Sequence, residues 1–194
     1  SVANYKVSKQ ADVLMLFYLL SYEELVGVFD RLGVEFSEEL LTRTIDYYME
    51  RTSHGSTLSR LVHSWVLARS DRQRSIALFR QALESDVSDI QDGTTQEGIH
   101  LGAMAGTVDL LKRGYSGMEV RADGVLRFKP SLPPEIGRLD FSVYFHRRWL
   151  DVTLTDGDLQ ITSEVTGRAP ITVECRGERV ELAPGETKHF RRPS

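Results

Sequence analysis

The apolar pattern of these 194 residues changes period once, near residue 115, and nothing else in the sequence restricts the fold as strongly. Up to about Tyr115 apolar residues recur three and four apart, the spacing of helices with one buried face. Leu40, Leu41, Thr44, Ile45 and Tyr48 share one such face. Leu58, Leu61, Val62, Trp65, Val66 and Ala68 share another, and Ile76, Phe79, Ala82 and Leu83 a third. From Met118 the period is two, punctuated by the turn dipeptides Asp123-Gly124, Asp156-Gly157, Arg176-Gly177 and Pro184-Gly185. Periods segregated in this way predict an α + β chain in two regions: antiparallel helical hairpins, then an antiparallel β-sandwich of the jelly-roll kind.

Local signals set the expected boundaries. An apolar helix spans Ala11 to Leu20. Ser21-Tyr22-Glu23-Glu24 reads as a capping box opening a helix to Leu32, closed by Gly33. Ser37 caps the next helix, and Ser70-Asp71-Arg72-Gln73 reads as a further capping box. A last helix runs from about Thr95 to Arg113 and stops at Gly114. Its small residues, Gly98, Gly102, Ala103, Ala105 and Gly106, predict close approach by a neighbouring helix or a ligand. Strands are expected at Val125–Phe128, Leu139–His146, Trp149–Leu154, Leu159–Val165, Ile171–Cys175, Val180–Leu182 and Thr187–Phe190. The Pro-rich loop from Lys129 to Gly137 fits a crossing between sheets. The boundary falls near Gly114–Gly117, giving domains 1–116 and 117–194. The first helix is apolar nearly all round, and such a helix is normally enclosed on every side. So few helices can hardly enclose it, so the chain is expected to be a piece of something larger.

Composition narrows the partners. A net charge of −4 argues against a nucleic-acid surface, which needs a basic stripe. The single cysteine, Cys175, excludes an intrachain disulfide, and its place in an alternating strand makes it a small core residue. No secretory signal and no apolar run of membrane-spanning length is visible, so a soluble, cytoplasmic chain with no membrane partner is expected.

Two polar stretches carry the candidate chemistry. Thr52-Ser53-His54-Gly55-Ser56-Thr57-Leu58-Ser59 and Asp92 to Met104 each combine hydroxyls, glycine and histidine at a predicted helix start. Glycine admits close approach, hydroxyls and amides donate, and the helix dipole favours an anion. Ordinary N-capping explains the same composition, and both readings stand on these residues alone. Glu97 and His100 are spaced to share a helix face, where the carboxylate could orient the ring. His63, alone within a helix, reads as structural. No His-Glu-x-x-His, cysteine cluster or dense carboxylate loop is present, so no metal is expected. There is no Gly-x-Ser-x-Gly elbow. Apart from Asp92, read as a helix cap, Glu97 is the sole carboxylate inside a site-like stretch, whereas glycosidases generally need two. Tyr144, Phe145 and Trp149 could stack on sugars, but core packing is the expected use.

Taken in order, Lys9-Gln10-Ala11-Asp12-Val13, Thr52 to Ser59 and Asp92 to Met104 resemble the C-terminal part of glycoside hydrolase family 65. These are the inverting phosphorylases of maltose, trehalose, kojibiose and related α-glucosides. The resemblance covers essentially the whole chain. It implies the closing helices of an (α/α)6 barrel followed by the family's C-terminal β-sandwich. It also implies that Lys9 and Gln10 bind glucose hydroxyls where the bond is cut. Gly55, Ser56, Thr57 and His100 would hold inorganic phosphate, with His54, Thr95 and Glu97 behind them. Phosphate would be the co-substrate and no other cofactor would be needed. Phosphate attacks the anomeric carbon while a carboxylic acid protonates the leaving oxygen, so an α-glucoside yields β-glucose 1-phosphate. That explains the missing carboxylate pair, because phosphate is already a nucleophile. The family's general acid lies in an acidic motif upstream of the Lys-Gln pair, and this chain begins too late to carry it. No catalytic residue is therefore expected in this chain, which alone should be inactive and need the upstream segment as partner. Family members are often homodimers. Two further readings stay open: part of a family hydrolase of the trehalase or kojibiose hydrolase type, and a non-catalytic interaction module.

Overall fold

The computed structural model describes residues 6–53, 56–88, 96, 98–166 and 169–192. It divides into two compact units, Ser1–Thr107 and Val108–Ser194.

In the first unit, α1 is Met15–Leu19, α2 Tyr22–Arg31, α3 Glu38–Met49, α4 Thr57–Leu67, α5 Arg72–Glu84 and α6 Leu101–Asp109. Each start has a local cause. Before α2 the Ser21 hydroxyl accepts from Glu24 N at 3.2 Å and the Glu24 carboxylate accepts from Ser21 N at 2.8 Å, the expected box. Gly33 then leaves the helix at φ 69°. Ser37 caps α3 through Leu40 N. The start of α5 differs from expectation: Asp71, not Ser70, is the cap, accepting from Arg74 N at 3.0 Å. Two adjacent residues could each cap, and a carboxylate also suits the positive end of a helix.

The first helix also corrects the sequence reading. Only Met15–Leu19 of the expected Ala11–Leu20 is helical, while Leu16 and Leu19 are exposed within this chain, in line with the expectation that so few helices cannot enclose it. Ala11 and Leu14, just before it, turn inward instead. With Met49, Val62 and Leu67 they form a core flanked by Phe17, Ile45, Tyr48 and Leu78. Tyr18 adds an edge-on contact to Trp65, ring centroids 4.7 Å apart. Where α4 and α5 cross, Ser64 and Ser75 are fully buried and each hydroxyl donates to the other's carbonyl, at 2.8 and 2.7 Å. Both hydroxyls are satisfied locally, which is how polar side chains survive at a helix crossing. The expected close approach on α6 occurs at Gly106, where a Cβ would lie 2.0 Å from Leu61 Cδ2. The same test at Gly98 and Gly102 finds open space.

In the second unit, a π-helical turn, Leu110–Tyr115, continues the α6 segment. Eight strands follow among the described residues: β1 Glu119–Val120, β2 Leu126–Phe128, β3 Arg138–Phe145, β4 Arg148–Thr155, β5 Leu159–Ser163, β6 Ile171–Cys175, β7 Glu178–Leu182 and β8 Thr187–Phe190. They form two four-stranded sheets, β1-β2-β6-β7 and β3-β4-β5-β8. The loop from Lys129 to Gly137 does pass from one sheet to the other, because β2 and β3 belong to different sheets. The sheets are not wholly antiparallel as expected. β2 pairs with β6 in parallel, Leu126 beside Val173. A parallel pair needs a long crossover, and the intervening β3, β4 and β5 supply it.

The period-two pattern maps onto the faces. Leu150, Val152 and Leu154 of β4 and Leu159 and Ile161 of β5 are fully or almost fully buried, with polar residues between them. Cys175 is buried, and that burial pushes its thiol up to about 11, as expected of an inert core residue. Arg176-Gly177 turns β6 into β7 with both residues left-handed, φ 53° and 85°. The β3–β4 turn does the same without glycine, at His146 (φ 46°) and Arg147 (φ 65°). Left-handed backbone costs an L-residue about 1–2 kcal/mol, and glycine's extra unfolded freedom returns about 0.5–1 kcal/mol of that. Arg147 is exposed, so Arg147→Gly loses no packing there. It is expected to raise stability by up to about 1 kcal/mol, read as a higher urea midpoint at unchanged slope.

Candidate functional site

The Lys9-Gln10 pair is built onto the polar loop by backbone contacts. Ser8 N donates to Arg51 O at 2.8 Å and Ser53 N to Ser8 O at 2.9 Å, a short parallel bridge of Ser8 with Thr52. The Ser53 hydroxyl then donates to Lys9 O at 3.2 Å, and Ala11 N to Ser59 Oγ at 3.3 Å. The loop itself is anchored below by the Thr52 hydroxyl, which donates to Tyr48 O at 2.7 Å. Lys9 stays exposed and Gln10 half-buried, so both side chains remain available beside a fixed backbone.

Ser56 and Thr57 form the start of α4. Ser56 is its N-cap, accepting from Leu58 N at 3.3 Å, so the capping reading holds. Capping uses an oxygen lone pair and leaves the hydroxyl hydrogen to donate elsewhere, so it does not exclude an anion. Thr57, the first helical residue, is buried. His63, farther along α4, is fully buried as a structural histidine should be. His54 and Gly55 lie outside the described residues.

The expected helix over residues 95–113 starts later than the spacing suggests. Residues 98–100 are not helical, Gly98 has φ 94°, and α6 opens at Leu101. Among the described residues a carboxylate does meet His100. Asp86, just past α5, accepts from His100 N through Oδ2 at 2.8 Å and lies 2.6 Å from His100 Nδ1 through Oδ1. The Asp86 side chain is 7% exposed and that of His100 26%, so the carboxylate is the more withdrawn of the two. The side-chain bond from His100 holds Asp86 below the usual carboxylate range, against the effect of burial. Sequence reading missed Asp86 because it looks like the polar tail of a helix. Glu97 and Thr95 lie outside the described residues.

A second polar-aromatic surface lies on the β3–β4 sheet. Tyr144 and Trp149, expected in the core, are exposed and pair across the strands with ring centroids 5.3 Å apart. Phe145 alone of the three is buried. The reversal follows from register: Phe145 shares the inward set of β3 with the buried rows of β4, and its neighbours point outward. Among the described residues, no group of three or more His, Cys, Asp or Glu side chains gathers as metal ligands would. No described helix is long and apolar enough to cross a membrane.

This architecture is shared with carbohydrate-processing enzymes. A solved structure from the human microbiome, provisionally assigned as a kojibiose phosphorylase, superposes with a TM-score of 0.77 at 25% identity, over 97% of this chain and 25% of that one. The chain belongs to glycosyl hydrolase family 65: residues 1–109 match the family's central catalytic domain and residues 118–182 its C-terminal domain. An uncharacterized glycosyl hydrolase of Mycobacterium tuberculosis is 50% identical over 96% of this chain, which spans 14% of that protein. The trehalose 6-phosphate phosphorylase of Lactococcus lactis is 33% identical over 96% of this chain and 24% of its own length. The chain thus spans a quarter or less of the relatives it matches here.

Proposed function

We propose that this chain is the phosphate side, and part of the glucose subsite, of an inverting α-glucoside phosphorylase. The observation that carries the reading is the hydrogen-bonded lacing of Ser8, Lys9 and Ala11 to Arg51, Ser53 and Ser59. It holds a lysine–glutamine pair suited to sugar hydroxyls next to a hydroxyl-rich helix start suited to an anion. Gly55, Ser56, Thr57 and His100 hold phosphate, backed by His54, Thr95 and Glu97. Lys9 and Gln10 hold the glucose. The helices close an (α/α)6 barrel, and the two sheets form the sandwich that follows it.

In this reading a phosphate oxygen bonds to the anomeric carbon as the glycosidic C–O bond breaks from the opposite side. The leaving oxygen takes a proton from a carboxylic acid contributed by another part of the enzyme. Fixing phosphate beside the sugar is the chain's share of the rate, because it replaces an encounter by a held geometry. No cofactor beyond phosphate takes part, and the enzyme is cytoplasmic and homodimeric.

The hydrolase reading draws on the mycobacterial relative's description as a glycosyl hydrolase. It requires a carboxylate base where phosphate would stand. The loop there offers Ser56 and Thr57, hydroxyls that cannot deprotonate water at neutral pH. The test is glucose 1-phosphate formation from a panel of α-glucobioses, by this chain alone and by the enzyme completed with its upstream portion. Turnover is expected only from the completed enzyme, and robust turnover by this chain alone would refute the assignment of the general acid elsewhere.

A further inference from the structure

Two large rings stand on the outward face of the β3–β4 pair, outside the core. Tyr144 and Trp149 are opposite each other in the ladder, 59% and 52% exposed, with ring centroids 5.3 Å apart. Tryptophan is normally well buried, yet here Leu150, Val152 and Leu154 fill the inward row of β4 instead. Contacts just past β5 fix the strand under the rings: Trp149 N donates to the Glu164 carboxylate at 3.2 Å, and Glu164 N to Trp149 O at 2.9 Å. The neighbouring outward pairs are polar. Ser142 donates to Asp151 and Thr153 to Asp140, both at 2.6 Å. The Ser142–Asp151 pair lies two residues, about 7 Å, along the strands from the rings. Two cations beside these rows are already tied, Arg138 to Asp140 at 2.7 Å and Lys112 to Ser142 O at 2.8 Å.

This composition selects among partners. Protein interfaces favour aromatics together with Met and Arg, and are poor in Asp, Glu and Ser, the residues that flank these rings. Carboxylates repel phosphate and sulfate groups, which disfavours nucleic acid and anionic lipid. A neutral sugar suits both parts of the face. Its C–H side stacks on an aromatic ring, and its hydroxyls donate to carboxylates, which accept several bonds each. We propose that the outer face of β3–β4 is a carbohydrate site in its own right. It takes a glucose unit of a neutral α-glucan on Trp149 and Tyr144, with Asp151 accepting from the sugar's hydroxyls. The site depends neither on phosphate nor on His100. Only the choice of an α-glucan rests on the proposed α-glucoside chemistry.

Affinity electrophoresis of the complete enzyme through gels with and without glycogen tests the site. Glycogen is expected to retard the unaltered enzyme. Trp149→Ala should weaken that binding about tenfold or more, the loss of one well-stacked ring. Trp149→Phe, which keeps a ring, should recover part of it. Trp149 lies outside the core, so the sheet is expected to survive either change. Lys9→Ala, aimed at the proposed glucose subsite, should leave the retardation intact. Turnover of a short α-glucobiose should be the same in Trp149→Ala as in the unaltered enzyme. Retardation needs no turnover, so failure of the phosphorylase reading and failure of this site give different results. Equal migration of the unaltered enzyme with and without glycogen, or equal retardation of Trp149→Ala, would overturn the proposal. A changed oligomeric size of Trp149→Ala in gel filtration would make the face a protein contact and overturn it as well.

Discussion

Gly106→Val is expected to destabilise the helical unit by about 3 kcal/mol or more, the upper range for overpacking a tight core. The first added carbon would already lie 2.0 Å from Leu61 Cδ2, and Leu61 has no exposed surface through which to retreat. Set against the 5–15 kcal/mol typical of a whole domain, that is a large share. Gly102→Ala, on the same helix, meets nothing within 4 Å and should instead stabilise by about 0.5–1 kcal/mol through helix propensity. Urea unfolding of the two variants side by side measures both. Equal behaviour of the pair would mean that α6 does not lie against α4 at Gly106.

The second large effect is on chemistry. In the complete enzyme, His100→Ala is expected to lower kcat/KM for phosphate by about tenfold to a hundredfold, the loss of one hydrogen bond to a charged group. The KM for the glucoside should change far less. Lys9→Ala should show the reverse pattern, weakening the glucoside and sparing phosphate. Lys9 is exposed and its backbone is fixed by Ser53, so neither unfolding nor loop collapse is expected from that change. Steady-state kinetics with each substrate varied in turn separates the two patterns. Parallel losses for both substrates in both variants would mean that the two residues do not divide the site as proposed.

What the sequence made legible was local. The Ser21–Glu24 box and the Ser37 cap are satisfied within three residues, and both formed as expected. The alternation that buries Leu150, Val152 and Leu154 was readable because its period is two. Long-range facts were not. The parallel pairing of β2 with β6 depends on chain routing through three other strands. The β3–β4 turn carries no glycine to announce it, since His146 and Arg147 both take the left-handed region. The π-helical turn at Leu110–Tyr115 has no composition of its own.

The same division runs through the site. Thr52–Ser59 was visible as an anion-like composition, but Lys9 reaches it across 44 residues through backbone atoms, which no side-chain pattern encodes. Only the family resemblance joined them. His100 drew notice by its composition, and its contact with Asp86 did not. Asp86, 14 residues back and outside any local spacing rule, makes a contact that the pattern around His100 does not announce.

The central claim is that phosphate, held by the loop at Ser56 and Thr57 and by His100, is the nucleophile. The most direct test follows α-glucoside cleavage by the complete enzyme in time-resolved proton NMR, with and without inorganic phosphate. β-Glucose 1-phosphate is expected as the first product, with no cleavage when phosphate is withheld. Release of free glucose at the same rate with and without phosphate would contradict it.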